Sequence, residues 1–89
     1  MKKLNYSRIT KLQKDSGFSE MQNLINSGTV WKMEGSMGRE AMEYLRLGAC
    51  MLPKKTFKDY YGNTIPSREH LRNGTLGTFQ NSVNYYANY

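Results

Sequence analysis

The run WKMEGSMGREAMEYLRLGACML, Trp31 to Leu52, constrains this chain more than any other stretch. Two glycines bracket its one strong amphipathic segment. Gly35 precedes it and Gly48 stops it, so the helix between them is short and must bury a face within a few turns. Ser36 is a natural N-cap, and the spacing predicts a helix over 37–47. Ala41, Met42, Leu45 and Ala49 mark the buried face, while Arg39, Glu40, Glu43 and Arg46 mark the wet one. Arg39 and Glu43 are an i,i+4 pair there, and Arg46 lies in the last turn, where the helix dipole favours a cation. Ala49–Leu52 is then an apolar run, expected to be extended and buried, before Pro53.

The flanks are read around this centre. Ser19 and Gln22 match a capping box, followed by Met21, Leu24 and Ile25 at helical spacing and by Gly28 as a left-handed stop. That predicts a helix over 20–27. Thr29–Met33 is β-prone and bounded by glycines, so a short extended link is expected. Phe57, Tyr60-Tyr61, the Gly62-Asn63 turn signal, Thr64 and Ile65 suggest a small hairpin or a structured turn. An extended pair is expected around 49–52 and 60–66. Ser67 opens at most a brief helical turn. Thr78 can cap a last helix, although Phe79–Tyr86 also fits alternation.

Composition narrows the class. The chain has 89 residues, enough for one small domain with a thin core. Hydrophobic residues make up 38%, but aromatics reach 12%, which argues for a fold over disorder. One cysteine cannot form an intramolecular disulfide. Lys2 and Lys3 are not followed by an apolar run, so no secretory signal is read, and a reducing cytoplasm is expected. No run approaches the roughly 20 apolar residues of a membrane span, so no membrane association is expected. Net charge is +6. Lys2, Lys3, Arg8, Lys11 and Lys14 crowd the first residues without an acid. A positive balance suits polyanionic partners, and it equally serves solubility.

Candidate chemistry is thin. Cys50 sits in Ala-Cys-Met-Leu, an apolar setting that raises a thiol pKa, and His70 has no sequence neighbour to work with. Neither supplies a metal site or a nucleophile pair. Gly35–Arg39 has neither the GxGxxG fingerprint nor the GKS/T ending of a phosphate loop, and Ser36 occupies part of any anion site there. Glu40 and Glu43 lie beside Arg39 and Arg46, which favour ionisation of both, the opposite of what acid–base work needs. Catalytic residues, metal ligands and cofactors are therefore all expected to be absent. The best remaining signal is cations interleaved with aromatics. Lys54, Lys55, Phe57, Lys58, Tyr60, Tyr61 and Arg68 suit phosphates and bases, and Tyr and Arg suit protein interfaces as well.

The pattern Trp31-x-x-Glu34-Gly35-Ser36-x-Gly38-Arg39-x-Ala41-Met42, with Gly48-x-Cys50-Met51-Leu52, Asp59-Tyr60-Tyr61-Gly62-Asn63-x-Ile65-Pro66-Ser67-Arg68 and Gly74-Thr75-x-Gly77-Thr78, resembles a family of small uncharacterised bacteriophage proteins. The resemblance spans roughly 26–79. It implies a context in which small proteins inhibit host enzymes or antiviral defence components, redirect host machinery or touch nucleic acid.

The expectation is an α+β single domain, with two or three short helices and a small hairpin, packed around Trp31, Met42, Leu45 and Leu52. A mostly α arrangement with irregular loops is the alternative. Residues 1–15 form a basic arm, helical or mobile, and 16–89 the compact domain. The functional expectation is a non-enzymatic accessory protein of the infected bacterial cytoplasm. It would inhibit or modulate a host protein, or a protein–nucleic acid complex, through Arg39, Glu43, Arg46, Tyr60, Tyr61 and Arg68. The alternative is a nucleic-acid-binding module using Lys2, Lys3, Arg8, Lys11, Lys14, Lys54, Lys55 and Lys58.

Overall fold

Asn5 begins the folded chain: its side-chain oxygen accepts from the backbone N–H of Arg8 at 2.8 Å and starts α1, Tyr6–Ser16. The computed structural model describes residues 4–59, 61–72 and 74–87. α1 carries the basic segment. Arg8, Lys11 and Lys14 point to solvent while Ile9 and Gln13 are buried, so this part of the arm packs into the core. Lys2 and Lys3 lie outside the described residues.

α2 runs Ser19–Ser27. Its N-cap is Phe18, not Ser19, and no side chain caps it. The capping box does not form because Gln22 is drawn inward. Its Oε1 accepts from Gln13 Nε2 and from the backbone N–H of Met51, both at 2.8 Å. Its Nε2 donates to Met51 O and Asn26 Oδ1, both at 2.9 Å. Gly28 ends α2 at φ +78, and a Cβ there would meet Phe57 Cδ1 at 2.5 Å. The left-handed residue turns the chain straight into a 3-10 turn over Thr29–Lys32. The expected extended link is thus corrected. No strand lies alongside to pair with 29–33, and the turn instead drives Val30 fully into the core.

α3 spans Gly35–Leu47, with Glu34 as its N-cap. Ser36 does not cap it; its hydroxyl donates to Glu34 Oε1 at 2.6 Å. Ala41 and Leu45 face inward, whereas Met42, one position round, is 45% exposed. Arg46, not Arg39, pairs with Glu43, one turn apart. Gly48 closes the helix at φ +99.

Ala49–Pro53 is buried but belongs to no strand. The hairpin around Gly62-Asn63 forms as expected, β1, Phe57–Lys58, against β2, Thr64–Ile65, antiparallel, whereas the expected extended pair of 49–52 with 60–66 does not form among the described residues. Loop backbone and side chains together take the place of a sheet. The Cys50 N–H donates to Tyr44 O at 3.2 Å and the Leu52 N–H to Gly77 O at 2.9 Å. Ala49 O accepts from Gln13 Nε2 at 3.1 Å and from Tyr86 Oη at 2.6 Å, and Leu52 O accepts from Arg68 Nε at 2.5 Å. α4, Phe79–Tyr86, is a helix capped by Thr78, whose side chain accepts from the N–H of Asn81.

Among the described residues, four α-helices and one two-stranded hairpin make a small α+β domain with more helix than expected. One core cluster joins Met21, Ile25, Val30, Ala41, Leu45, Cys50 and Leu52; the other joins Ile9, Met51 and Tyr86. Leu45 and Leu52 thus lie in the core as expected, Trp31 only edges it, and Met42 does not enter. Among the described residues no helix is long and apolar enough to cross a membrane.

Candidate functional site

Two surfaces emerge, and they divide the residues singled out in the sequence. The first lies on α3 and the 3-10 turn. A depression of about 510 Å³ is lined by Trp31, Met42, Ile65 and Leu76, with Arg39, Glu43 and Arg46 at its edge. A second, of about 400 Å³, is lined by Trp31, Met33, Glu34 and Tyr61. Both also share Gly35, Gly38 and Asp59, so they form one surface divided by Trp31.

The fold therefore gathers Arg39, Glu43, Arg46 and Tyr61. Helix spacing aligns the first three, and the β1–β2 turn brings Tyr61. Asp59 shapes that turn by accepting from the N–H groups of Tyr61 at 2.9 Å and Asn63 at 2.8 Å. Arg46 holds the Glu43 carboxyl below its ordinary range through their hydrogen bond. Both side chains are solvated, so the pair adds little stability and acts as a fixed charge pattern. The apolar part of this surface was missed in the sequence. Met33, Met42 and Leu76 are all about two-fifths exposed (41%, 45% and 39%). Met42 was read as core, and Leu76 lies far along the chain. The Trp31 indole N–H is buried there without an acceptor among the described residues.

Arg68 is not on this surface. It is 7% exposed and forms the floor of a cleft of about 520 Å³ between α1, α2 and residues 51–57. Its guanidinium lies near Asn26 Oδ1, at 3.4 Å, and 5.6 Å from the centre of the Tyr6 ring. Burial pushes the guanidinium pKa down, while the Tyr6 hydroxyl and Glu69 act in the opposite direction. Lys54 and Lys55 line the same cleft, with Lys54 Nζ 5.2 Å from the Tyr6 ring centre. Lys58 is exposed on β1, away from them. Tyr60 lies outside the described residues.

Cys50 and His70 occupy different settings. His70 is exposed. Cys50 is fully buried, its thiol pushed up to about 12 by desolvation and facing Phe18 O at 3.8 Å. A thiol reacts as thiolate and needs access. Cys50 is therefore expected to ignore a disulfide-exchange dye in native buffer at pH 8 and to react fully once urea unfolds the chain. Rapid native labelling would contradict the burial. The raised value also has a sign: the neutral thiol is favoured in the folded state, so this contribution to stability is intact below the unfolded thiol's pKa. It is lost as pH rises towards 12.

No family model, curated protein or solved structure matches this chain.

Proposed function

We propose that this chain is a non-enzymatic phage accessory protein that binds a host protein through the α3–Trp31 surface and inhibits or modulates it. The phage context comes from the sequence resemblance. The observation that carries the contact is the surface itself: Met33, Met42 and Leu76 are exposed around a half-buried Trp31. Arg39, Glu43, Arg46 and Asp59 rim it. An apolar centre with aromatic, Met and Arg side chains inside a polar rim is the composition of a protein-binding patch. The buried indole N–H, without an acceptor among the described residues, adds a cost that a partner's acceptor would relieve.

The test is capture from a bacterial lysate with the tagged full chain. The wild type is expected to return one protein in stoichiometric amount, and Met42→Asp with Leu76→Asp to lose it. Because both side chains are exposed, the double variant should melt within about 4 °C of the wild type. A wild type that recovers no stoichiometric protein would overturn the reading.

Arg8, Lys11 and Lys14, exposed along one side of α1, favour a second reading, nucleic-acid binding. Its signature is binding to random duplexes that falls steeply with salt. An unshifted duplex at about 50 mM salt would rule it out.

A further inference from the structure

The cleft over Arg68 has a different chemistry from the α3–Trp31 surface and shares no lining residue with it. Lys54, Lys55 and Arg68 line it, and no acid does. Arg68 is the unusual member. A buried guanidinium ordinarily meets a carboxylate, because desolvating a charge is expensive. Here the one ion pair among the described residues is Arg46–Glu43, elsewhere on the molecule. The groups packed against Arg68 are neutral, Leu52 O at 2.5 Å, Asn26 Oδ1 at 3.4 Å, Met51 Sδ at 3.6 Å and the Tyr6 hydroxyl, while Glu69 acts on it through space without forming an ion pair.

These contacts also fix the guanidinium in place. Leu52 O holds Nε from within the buried 49–53 segment, and Asn26 is itself held by Gln22 Nε2 at 2.9 Å. A guanidinium has more N–H donors than these partners and the Tyr6 hydroxyl together take up. Its remaining capacity opens to the cleft, under Lys54 and Lys55. Tyr6, stacked on Phe79 with ring centres 4.2 Å apart, and Phe57 supply aromatic walls.

We propose that this cleft binds a phosphate monoester, with the phosphoryl group on Arg68, Lys54 and Lys55 and the rest of the ligand against Tyr6 and Phe57. Charge selects the class. A monoester carries about −1.5 to −2 at neutral pH, which matches a cluster of cations without acids better than the single charge of a carboxylate or a phosphodiester. Size agrees: about 520 Å³ exceeds the need of a bare phosphate and falls in the range of small-ligand pockets. Planar donors on Arg68 suit bidentate phosphate recognition, with the lysines adding point charges. The proposal is independent of the protein-binding reading.

The experiment titrates the full ¹⁵N-labelled chain with adenosine monophosphate and with inorganic phosphate, holding ionic strength constant with sodium chloride. Saturable shifts are expected at Tyr6, Asn26, Lys54, Lys55 and the Arg68 Nε–H. Adenosine, which has no phosphoryl group, should leave these signals in place. Tighter binding of the nucleotide than of phosphate is expected, because the aromatic walls hold the remainder; equal binding would overturn the placement of the remainder against Tyr6 and Phe57. Lys54→Glu with Lys55→Glu changes only exposed side chains and should weaken binding at least about tenfold with an otherwise native spectrum. The proposal is overturned if sodium chloride or adenosine moves the same signals, if the double variant binds as well as the wild type, or if neither phosphate ligand shifts them.

Discussion

Gln22→Leu is expected to cost about 3–5 kcal/mol of unfolding free energy, measured by urea denaturation. The substitution keeps a similar volume and removes a buried hub. Gln22 satisfies the N–H and the carbonyl of Met51, accepts from Gln13 Nε2 and steadies Asn26. Without it, both backbone groups of Met51 are left inside the protein with nothing to bond, and burying an unpaired polar group costs about 1–3 kcal/mol each. A domain of this size has only about 4–13 kcal/mol in all, so the variant is marginal at best. Gln13→Leu should cost less, about 1–2 kcal/mol, because Ala49 O keeps the Tyr86 hydroxyl at 2.6 Å. The double variant should show coupling, since the two amides bond each other. A Gln22→Leu protein within about 1 kcal/mol of wild type would mean that the 49–53 segment is held by something other than these side chains.

The second large effect is expected at Gly48→Ala, about 3 kcal/mol or more. Two costs combine there. The residue sits at φ +99, where an L side chain is strained, and its added Cβ would lie 2.6 Å from Asn81 O and 2.8 Å from Tyr85 Cβ. Those atoms belong to α4, so the substitution wedges the end of α3 away from its neighbour. Gly17 provides the control. It also has a positive φ, +85, but a Cβ there meets nothing within 4 Å. Gly17→Ala should therefore report the backbone strain alone, about 1 kcal/mol. The difference between the two variants measures how closely the helices approach. Equal losses would show that the contact is not rigid.

What was legible in the sequence was whatever local chemistry decides. Gly28 and Gly48 stop helices because a left-handed residue is needed there, and Thr78 caps α4 with its own oxygen. What was hidden depended on distant partners. Ser19 and Gln22 carry a genuine capping-box spacing, but Met51, far along the chain, offers Gln22 a better set of bonds. Ala49–Leu52 has strand-like residues and no strand to pair with among the described residues, so its polar groups turn to side chains and to the backbone of Tyr44 and Gly77. Thr29–Met33 has β-prone residues and meets only a turn.

The candidate surfaces divide the same way. Arg39, Glu43 and Arg46 share a helix, and their grouping follows from its period. The apolar half did not follow, because Met42 falls one residue outside the Ala41–Leu45 stripe and Leu76 arrives from another part of the chain. Arg68 is a charged residue followed by the exposed Glu69 and His70, yet the reach of its side chain to Leu52 O draws it inside.

The glutamine hub also bears on how such a chain is born. Gln13 and Gln22 precede residues 49–51 in the chain, and until those emerge from the ribosome the two amides have only each other and Asn26 to bond. The carbonyl of Ala49 and both backbone groups of Met51 come later. Closing the helix pair before then would bury amides with half their bonds unmade. Early closure of the α1–α2 pair is thus disfavoured until the residues that complete these bonds have emerged.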